Sequence, residues 1–183
     1  MAEAIGTPDT QTTATAPKAL TVAEFGQGET AEETNLLVTF ILGDQTYGGD
    51  ILQIQEVTQM SHITRVPHVK EYIKGVTNLR GNIVPTIDLR LRLNIDDGLG
   101  DTSSQQIMIA RTAQGLLGYI VDSVREVITV PSSAIEPTPE DWLDADHKYF
   151  VGIAKMKDNL ITIVDFERVI QADGALVDEL KMG

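Results

Sequence analysis

The strongest constraint on this chain is an internal repeat. Gly75 through Leu89 is echoed 77 positions later by Gly152 through Phe166. The glycine, a basic residue (Arg80, Lys157), the asparagine (Asn82, Asn159), the apolar run and the aspartate (Asp88, Asp165) keep their places. Earlier landmarks recur 70 positions on: Gly48 with Gly118, Ile51 with Val121, Ile54 with Val124, Glu56-Val57 with Glu126-Val127, Pro67 with Pro137. The seven-residue difference between the offsets fits an insertion near Glu140 to Lys148. The fold must therefore be built from two tandem copies of one unit of about seventy residues.

Each copy reads mainly as β structure. Leu36 to Leu42 and Gln106 to Ala110 are short runs rich in branched side chains, closed by turns at Gly43-Asp44 and Arg111 to Gly115. Gly81-Asn82 and Asp158-Asn159 sit between apolar runs and read as hairpin turns, because Gly, Asn and Asp tolerate positive φ. Pro85 has no N–H, so its strand is expected at an edge or beside a bulge. Asp88 and Asp165 can each cap a short helix, over Leu89 to Leu93 and Phe166 to Ile170. Ile51, Ile54 and Val57 recur every third residue, as do Val121, Val124 and Val127; a helical turn or a bulged strand would each explain this, and the bulge is preferred among so many Val, Ile and Thr. Short strands at close spacing, repeated twice, predict two small barrels.

Charge narrows the partners. The 183 residues carry a net charge of -13, which argues against nucleic acid and against direct contact with an anionic membrane. Residues 1–35 hold -5, lack a sizeable apolar cluster and are expected to form a disordered acidic tail. Residues 36–95 are near neutral at +1, 96–170 carry -7, and 171–183, a tail or short helix, carry -2. No basic and apolar leader is legible at Met1 to Ile5, and no apolar run is long enough for a span, so a cytoplasmic protein is expected.

A search for chemistry yields no reactive constellation. The chain has no cysteine, which excludes thiolate nucleophiles and zinc–thiolate sites. His62 and His68 have no third ligand at a metal-binding spacing, and His147 stands apart. Around Asp96, Asp97 and Asp101 the glycine, Gly98, falls too early for a calcium loop and the closing glutamate is missing, and Asp141, Asp144 and Asp146 read as a solvated loop anchored by Trp142. No metal, cofactor or catalytic residue is expected. What remains is a binding module, in which Asn78-Leu79-Arg80-Gly81 places an amide, an apolar group and a planar guanidinium beside a tight turn; a turn of ordinary composition is the competing reading.

At this motif the sequence resembles the CheW family of chemotaxis coupling proteins. The resemblance is carried by Tyr47 to Ile51, Gln55-Glu56-Val57, Ile73 to Gly81, Val84-Pro85 and Ile87 to Arg90, then by Gly118 to Val124 and Ile135-Glu136-Pro137. It covers about residues 36–170. Gly49 departs from the pattern, where the family usually has a bulky aliphatic residue, and a looser strand is expected there.

The resemblance implies an all-β fold with short helices: two pseudo-repeated, SH3-like five-stranded barrels, about residues 36–95 and 96–170, with strand sharing allowed. It implies a non-enzymatic scaffold between transmembrane chemoreceptors and the histidine kinase CheA, cytoplasmic and recruited to receptor arrays. Carried over by position, Ile51, Ile54, Glu56, Val57, Gly75, Asn78 and Arg80 are expected to meet the receptor's helical hairpin tip. Gly118, Val121, Val124 and Gly152 are expected to face the kinase's regulatory domain. An adaptor of a non-flagellar system, such as pilus motility, is the alternative, and a small enzyme a remote one. A receiver-domain fusion and an isolated kinase domain are disfavoured, because no acidic-cluster βαβ pattern and no ATP-binding pattern is present in the sequence.

Overall fold

A computed structural model describes residues 32–95, 104–139, 148–156 and 159–171. The expected tails, 1–35 and 171–183, lie outside the described residues except at 32–35, where Thr34 and Asn35 open the first strand against the tail expectation, and at Gln171, which ends the last helix. The acidic insertion at 140–147 and the loop at 96–103 lie outside them too. The described residues form eleven strands and two short helices. The first copy supplies β1 (Thr34–Leu42), β2 (Gln45–Asp50), β3 (Ile54–Gln59), β4 (Ile73–Leu79), β5 (Asn82–Asp88) and α1 (Leu89–Arg92). The second supplies β6 (Gln106–Thr112), β7 (Gly115–Val121), β8 (Ser123–Pro131), β9 (Ile135–Pro137), β10 (Phe150–Met156), β11 (Asn159–Val164) and α2 (Phe166–Gln171).

The two sheets do not follow chain order. One runs β8-β1-β2-β11-β10-β9 and the other β3-β6-β7-β5-β4. Each copy therefore lends its first hairpin, β1–β2 or β6–β7, to the sheet built mostly from the other. The registers repeat as the sequence offsets require. Ile54 opposes Ala110 as Val124 opposes Phe40. Thr86 lies beside Gly118 in a parallel pair, as Ile163 lies beside Gly48. Register shifts fall at matching places, between Ile73 and Gly75 and between Phe150 and Gly152. The first sheet has six strands because β9 pairs with β10; in the second, the same role falls to a single bridge from Thr64 to Val76.

Three apolar clusters follow from this layout. Each sheet has its own: Leu37, Val130, Ala154, Ile161 and Ile163 in one, Val84, Ile107, Ile109 and Ile120 in the other. The largest lies across the exchanged hairpins and the two helices, with Phe40, Tyr47, Leu89, Tyr119 and Phe166 among its members. Phe40 and Phe166 are fully buried, each worth roughly 1.5–3 kcal/mol of transfer free energy. Asp88 and Asp165 cap the helices as expected: their carboxylates accept from Leu91 N–H at 3.3 Å and Glu167 N–H at 2.9 Å.

Several local expectations are corrected. Pro85 is on neither an edge strand nor a bulge, since β5 lies between β7 and β4. Its partner Val76 directs both main-chain groups away, to Thr64, so Pro85 sits at a non-hydrogen-bonded position. Pairing with β7 begins only at Thr86, so the missing N–H breaks no ladder. The first hairpin turn is Arg80-Gly81, one residue earlier than expected; both have positive φ, 51° and 92°. Its counterpart closes between Met156 and Asn159, with Lys157 and Asp158 outside the described residues. The three-residue spacing at Ile51, Ile54 and Val57 combines both devices: a 3₁₀ turn over Ile51–Gln53, capped by Asp50, runs into a strand whose register shifts between Ile54 and Glu56. At Gly49 the strand is not loose. The Phe166 ring fills the space, with its Cε2 only 2.4 Å from where a Cβ would stand.

Candidate functional site

Strands β3 and β4 are opposite ends of the five-stranded sheet, yet each meets side chains from just beyond the end of the other. Arg80 Nη2 donates to Glu56 Oε2 at 2.7 Å, and Ser61 and Thr77 hydroxyls are 2.7 Å apart. With the Thr64–Val76 bridge, these contacts close the sheet on itself. The turn that presents Arg80 is built by its neighbours: Asn78 Oδ1 accepts from Gly81 N–H at 2.8 Å, and Gly81 takes the second positive φ without strain. Arg80 is 82% exposed beyond its ion pair, while Glu56 is mostly covered. Beside them, Val57 is exposed and Ile51 and Ile54 are half-buried. The result is an aliphatic patch with one fixed guanidinium at its edge.

Six of the seven receptor-contact candidates, Ile51, Ile54, Glu56, Val57, Asn78 and Arg80, thus reach the surface at least in part. Gly75 does not. It is buried with φ of 139°, and a Cβ there would stand 2.1 Å from Thr64 O. Its role is to let the segment after β3 bridge to β4, which places Arg80 and Glu56 together.

The kinase-contact candidates are corrected more sharply. Val121 is 1% exposed, and Gly118 and Gly152 are buried. Gly118 lies in an interior strand, where a Cβ would meet Ile107 Cγ2 at 2.9 Å; at Gly152 it would meet Glu136 O at 2.7 Å. These glycines permit close strand approach and offer no side chain to a partner. Val124 is half-buried, with its N–H donating to Gln106 Oε1 at 2.7 Å. On the same copy, Val127, Val151 and Leu160 are the exposed large apolar side chains among the described residues.

Sequence reading missed five exposed apolar groups on the first copy: Leu52 at 85%, Ile83 at 75%, and Leu36, Met60 and Leu91. Ile83 had a signal, since it alternates with buried Val84 just after a turn. Leu52 had one too, two residues after the capping Asp50, but only if the 3₁₀ turn is recognised. Away from the patch, Tyr119 donates to Phe166 O at 2.8 Å; burial, helped by the Glu167 and Asp165 carboxylates, pushes its phenol well above the usual range. Among the described residues, no helix is long and apolar enough to cross a membrane.

Comparison with known proteins agrees with this arrangement. The family described as CheW-like domain matches residues 36–174. The chain is 34% identical over 154 residues to the chemotaxis protein CheW of Klebsiella aerogenes, covering 84% of this chain and 91% of that one. It is 33% identical over 139 residues to the CheW of Bacillus subtilis, covering 76% and 88%. Protein FrzA of Myxococcus xanthus is 25% identical over 135 residues, covering 72% and 82%. Among solved structures, the scaffolding protein TtCheW from Thermoanaerobacter tengcongensis superposes with a TM-score of 0.71 at 35% identity, covering 78% of this chain and 96% of that one.

Proposed function

The chain belongs to the CheW family of chemotaxis adaptors, and on that premise we propose that it is a non-catalytic scaffold joining transmembrane chemoreceptors to the histidine kinase CheA. The observation that supports the receptor side is the Arg80–Glu56 pair, held at 2.7 Å beside Ile54 and Val57. A helical hairpin tip laid on this patch would bury the aliphatic groups, while the guanidinium, anchored at one end, sets register on a polar group of the helix. The kinase's regulatory domain meets the other copy through the surface around Val124, with Val127 and Leu160 supplying the apolar area. Val121 belongs to the apolar cluster against which Val124 packs. The near-neutral and acidic halves give the two partners electrostatically different faces. The protein acts in the cytoplasm, recruited to receptor arrays.

The second reading, an adaptor of a non-flagellar chemosensory system, keeps the same surfaces and changes only the receptors. Reconstitution with receptor cytoplasmic fragments and CheA tests both. Receptor-dependent control of kinase autophosphorylation is expected with this protein and absent without it. Control that survives the joint change of Ile54, Val57 and Arg80 to Ala, Ser and Gly in a folded protein would sink the receptor assignment.

A further inference from the structure

A groove of about 470 Å³ lies where β1 begins and β2 ends, beside the 3₁₀ turn that carries the chain from one sheet to the other. Leu36, Leu52 and Val151 line it and are exposed, at 46%, 85% and 36%. The repeat supplies an internal control. Shifted by the two offsets, Leu36, Leu52, Val151 and Ile163 become Gln106, Asp122, Lys74 and Thr86 in the other copy. There Asp122 is bound by Arg90 at 2.5 Å, and Lys74 lies 3.7 Å from Asp88. One half closes this position with ion pairs, and the other leaves it open and aliphatic. A difference confined to one of two equivalent surfaces is the mark of a site for a partner that must choose between them.

Resting on the receptor reading above, we infer that this groove is a second part of the receptor site, taking the side of the helical hairpin that the Arg80 patch does not cover. The two are contiguous along the chain: Leu52 and Gln53 line the groove, and Ile54, the next residue, begins the patch. The charged side chains of the lining, Asp50 and Asp165, are both acidic. Asp165 is already engaged by Arg168 and by the helix it caps, which leaves the exposed Asp50 carboxylate as the charge a ligand meets. The occupant is therefore a helix face with two or three aliphatic side chains and a Lys or Arg placed to reach Asp50. Asp50 also caps the turn, accepting from Leu52 N–H at 2.9 Å, so that main-chain group is satisfied and recognition falls to side chains.

The test uses the full chain, a receptor cytoplasmic fragment containing the hairpin tip, and the CheA regulatory domain as separate binding probes. Leu52→Ser with Val151→Ser changes two exposed positions, so the fold is expected to persist, as checked by melting temperature. Receptor affinity should fall about tenfold or more, as at a buried interface anchor, with kinase affinity unchanged. Leu91→Ser, also exposed but outside both the groove and the Arg80 patch, should leave receptor affinity unchanged. A groove variant with wild-type receptor binding, or one that loses the kinase instead, overturns the proposal. The joint Ile54, Val57 and Arg80 variant measured alongside separates the two readings: loss there with none in the groove variant refutes only the second contact, whereas no loss in either refutes the receptor reading itself.

Discussion

Arg92 donates its Nε–H to the main-chain carbonyl of Val169 at 2.9 Å, and the two residues are counterparts in the repeat, 77 positions apart. Tyr72 and Tyr149, also counterparts, lie against the Arg92 guanidinium at 4.6 and 4.7 Å from its carbon to the ring centroids. Equivalent residues meet in this way only near the pseudo-twofold axis, so Arg92 joins the copies at their centre. The symmetry breaks there because two cations could not share the space.

That position predicts a large cost for losing the planar group. Arg92→Ala removes a charge-assisted hydrogen bond and two ring contacts, and should lower the unfolding free energy by about 2–4 kcal/mol. Arg92→Lys should recover less than half, because an ammonium cannot lie flat between two rings while reaching Val169. Urea denaturation of both variants checks this; full recovery by lysine would show that charge alone matters.

Gly49 and Phe166 form a second coupled pair. A methyl group at Gly49 would press on a ring that is itself fully buried, with centroids 4.9 Å from Tyr119 and 6.1 Å from Phe40. Gly49→Ala should cost about 1–3 kcal/mol by overpacking. Combined with Phe166→Leu, the two losses should be less than additive, since leucine vacates the space the methyl needs. A double-mutant cycle with no coupling would show that the ring moves aside freely.

The sequence carried this fold unusually far because a repeat doubles every signal. Asp88 and Asp165 mark two helix starts, and Gly48 and Gly118 mark two close strand approaches, each supporting the other. The hairpin exchange was not legible, since no residue pattern says which sheet a hairpin joins once two copies can trade. The same blindness affected the site. Gly118, Val121 and Gly152 were expected at a surface on the family resemblance alone, whereas an interior strand in a shared core buries both faces. Arg80 and Glu56, 24 residues apart, could be placed together only by family resemblance; the physical reason, a sheet whose end strands meet, emerges in three dimensions.

Gly75→Ala should be among the most damaging single changes, costing about 3 kcal/mol or more, because it combines a disfavoured φ with a clash against main chain that cannot yield. Receptor binding should fall only in proportion to the unfolded fraction. Binding measured at several temperatures against the melting curve checks this; a fully folded Gly75→Ala protein that fails to bind would make Gly75 a direct contact.

Tyr119 sets an alkaline limit. Its folded-state pKa is raised above 10.0, so the folded protein holds the proton after the unfolded chain has released it. The contribution is intact below about pH 10 and is lost as pH rises beyond it. Tyr119→Phe should be less stable at pH 7, having lost the bond to Phe166 O at 2.8 Å, but should show a shallower decline above pH 10. Equal slopes for both proteins would remove Tyr119 from the alkaline transition.

The sharpest separation of structure from function is available at Arg80. Its φ of 51° lies in the left-handed region, which glycine adopts more easily than arginine, so Arg80→Gly should keep the Asn78–Gly81 turn. The lost ion pair is largely exposed on the arginine side and contributes about 0–1 kcal/mol, offset in part by the relief of the left-handed backbone. The melting temperature should therefore move by no more than about 2–4 °C in either direction, the shift that 1 kcal/mol produces in a domain of this size. Receptor affinity should nevertheless fall about tenfold or more, because the guanidinium is the one oriented cation on the patch. Arg80→Lys should restore only part of it, a point charge being unable to bond Glu56 and a helix group in one plane. Calorimetric titration with the receptor fragment distinguishes the outcomes: equal affinity across arginine, lysine and glycine would make Arg80 a turn residue and leave recognition to Ile54 and Val57.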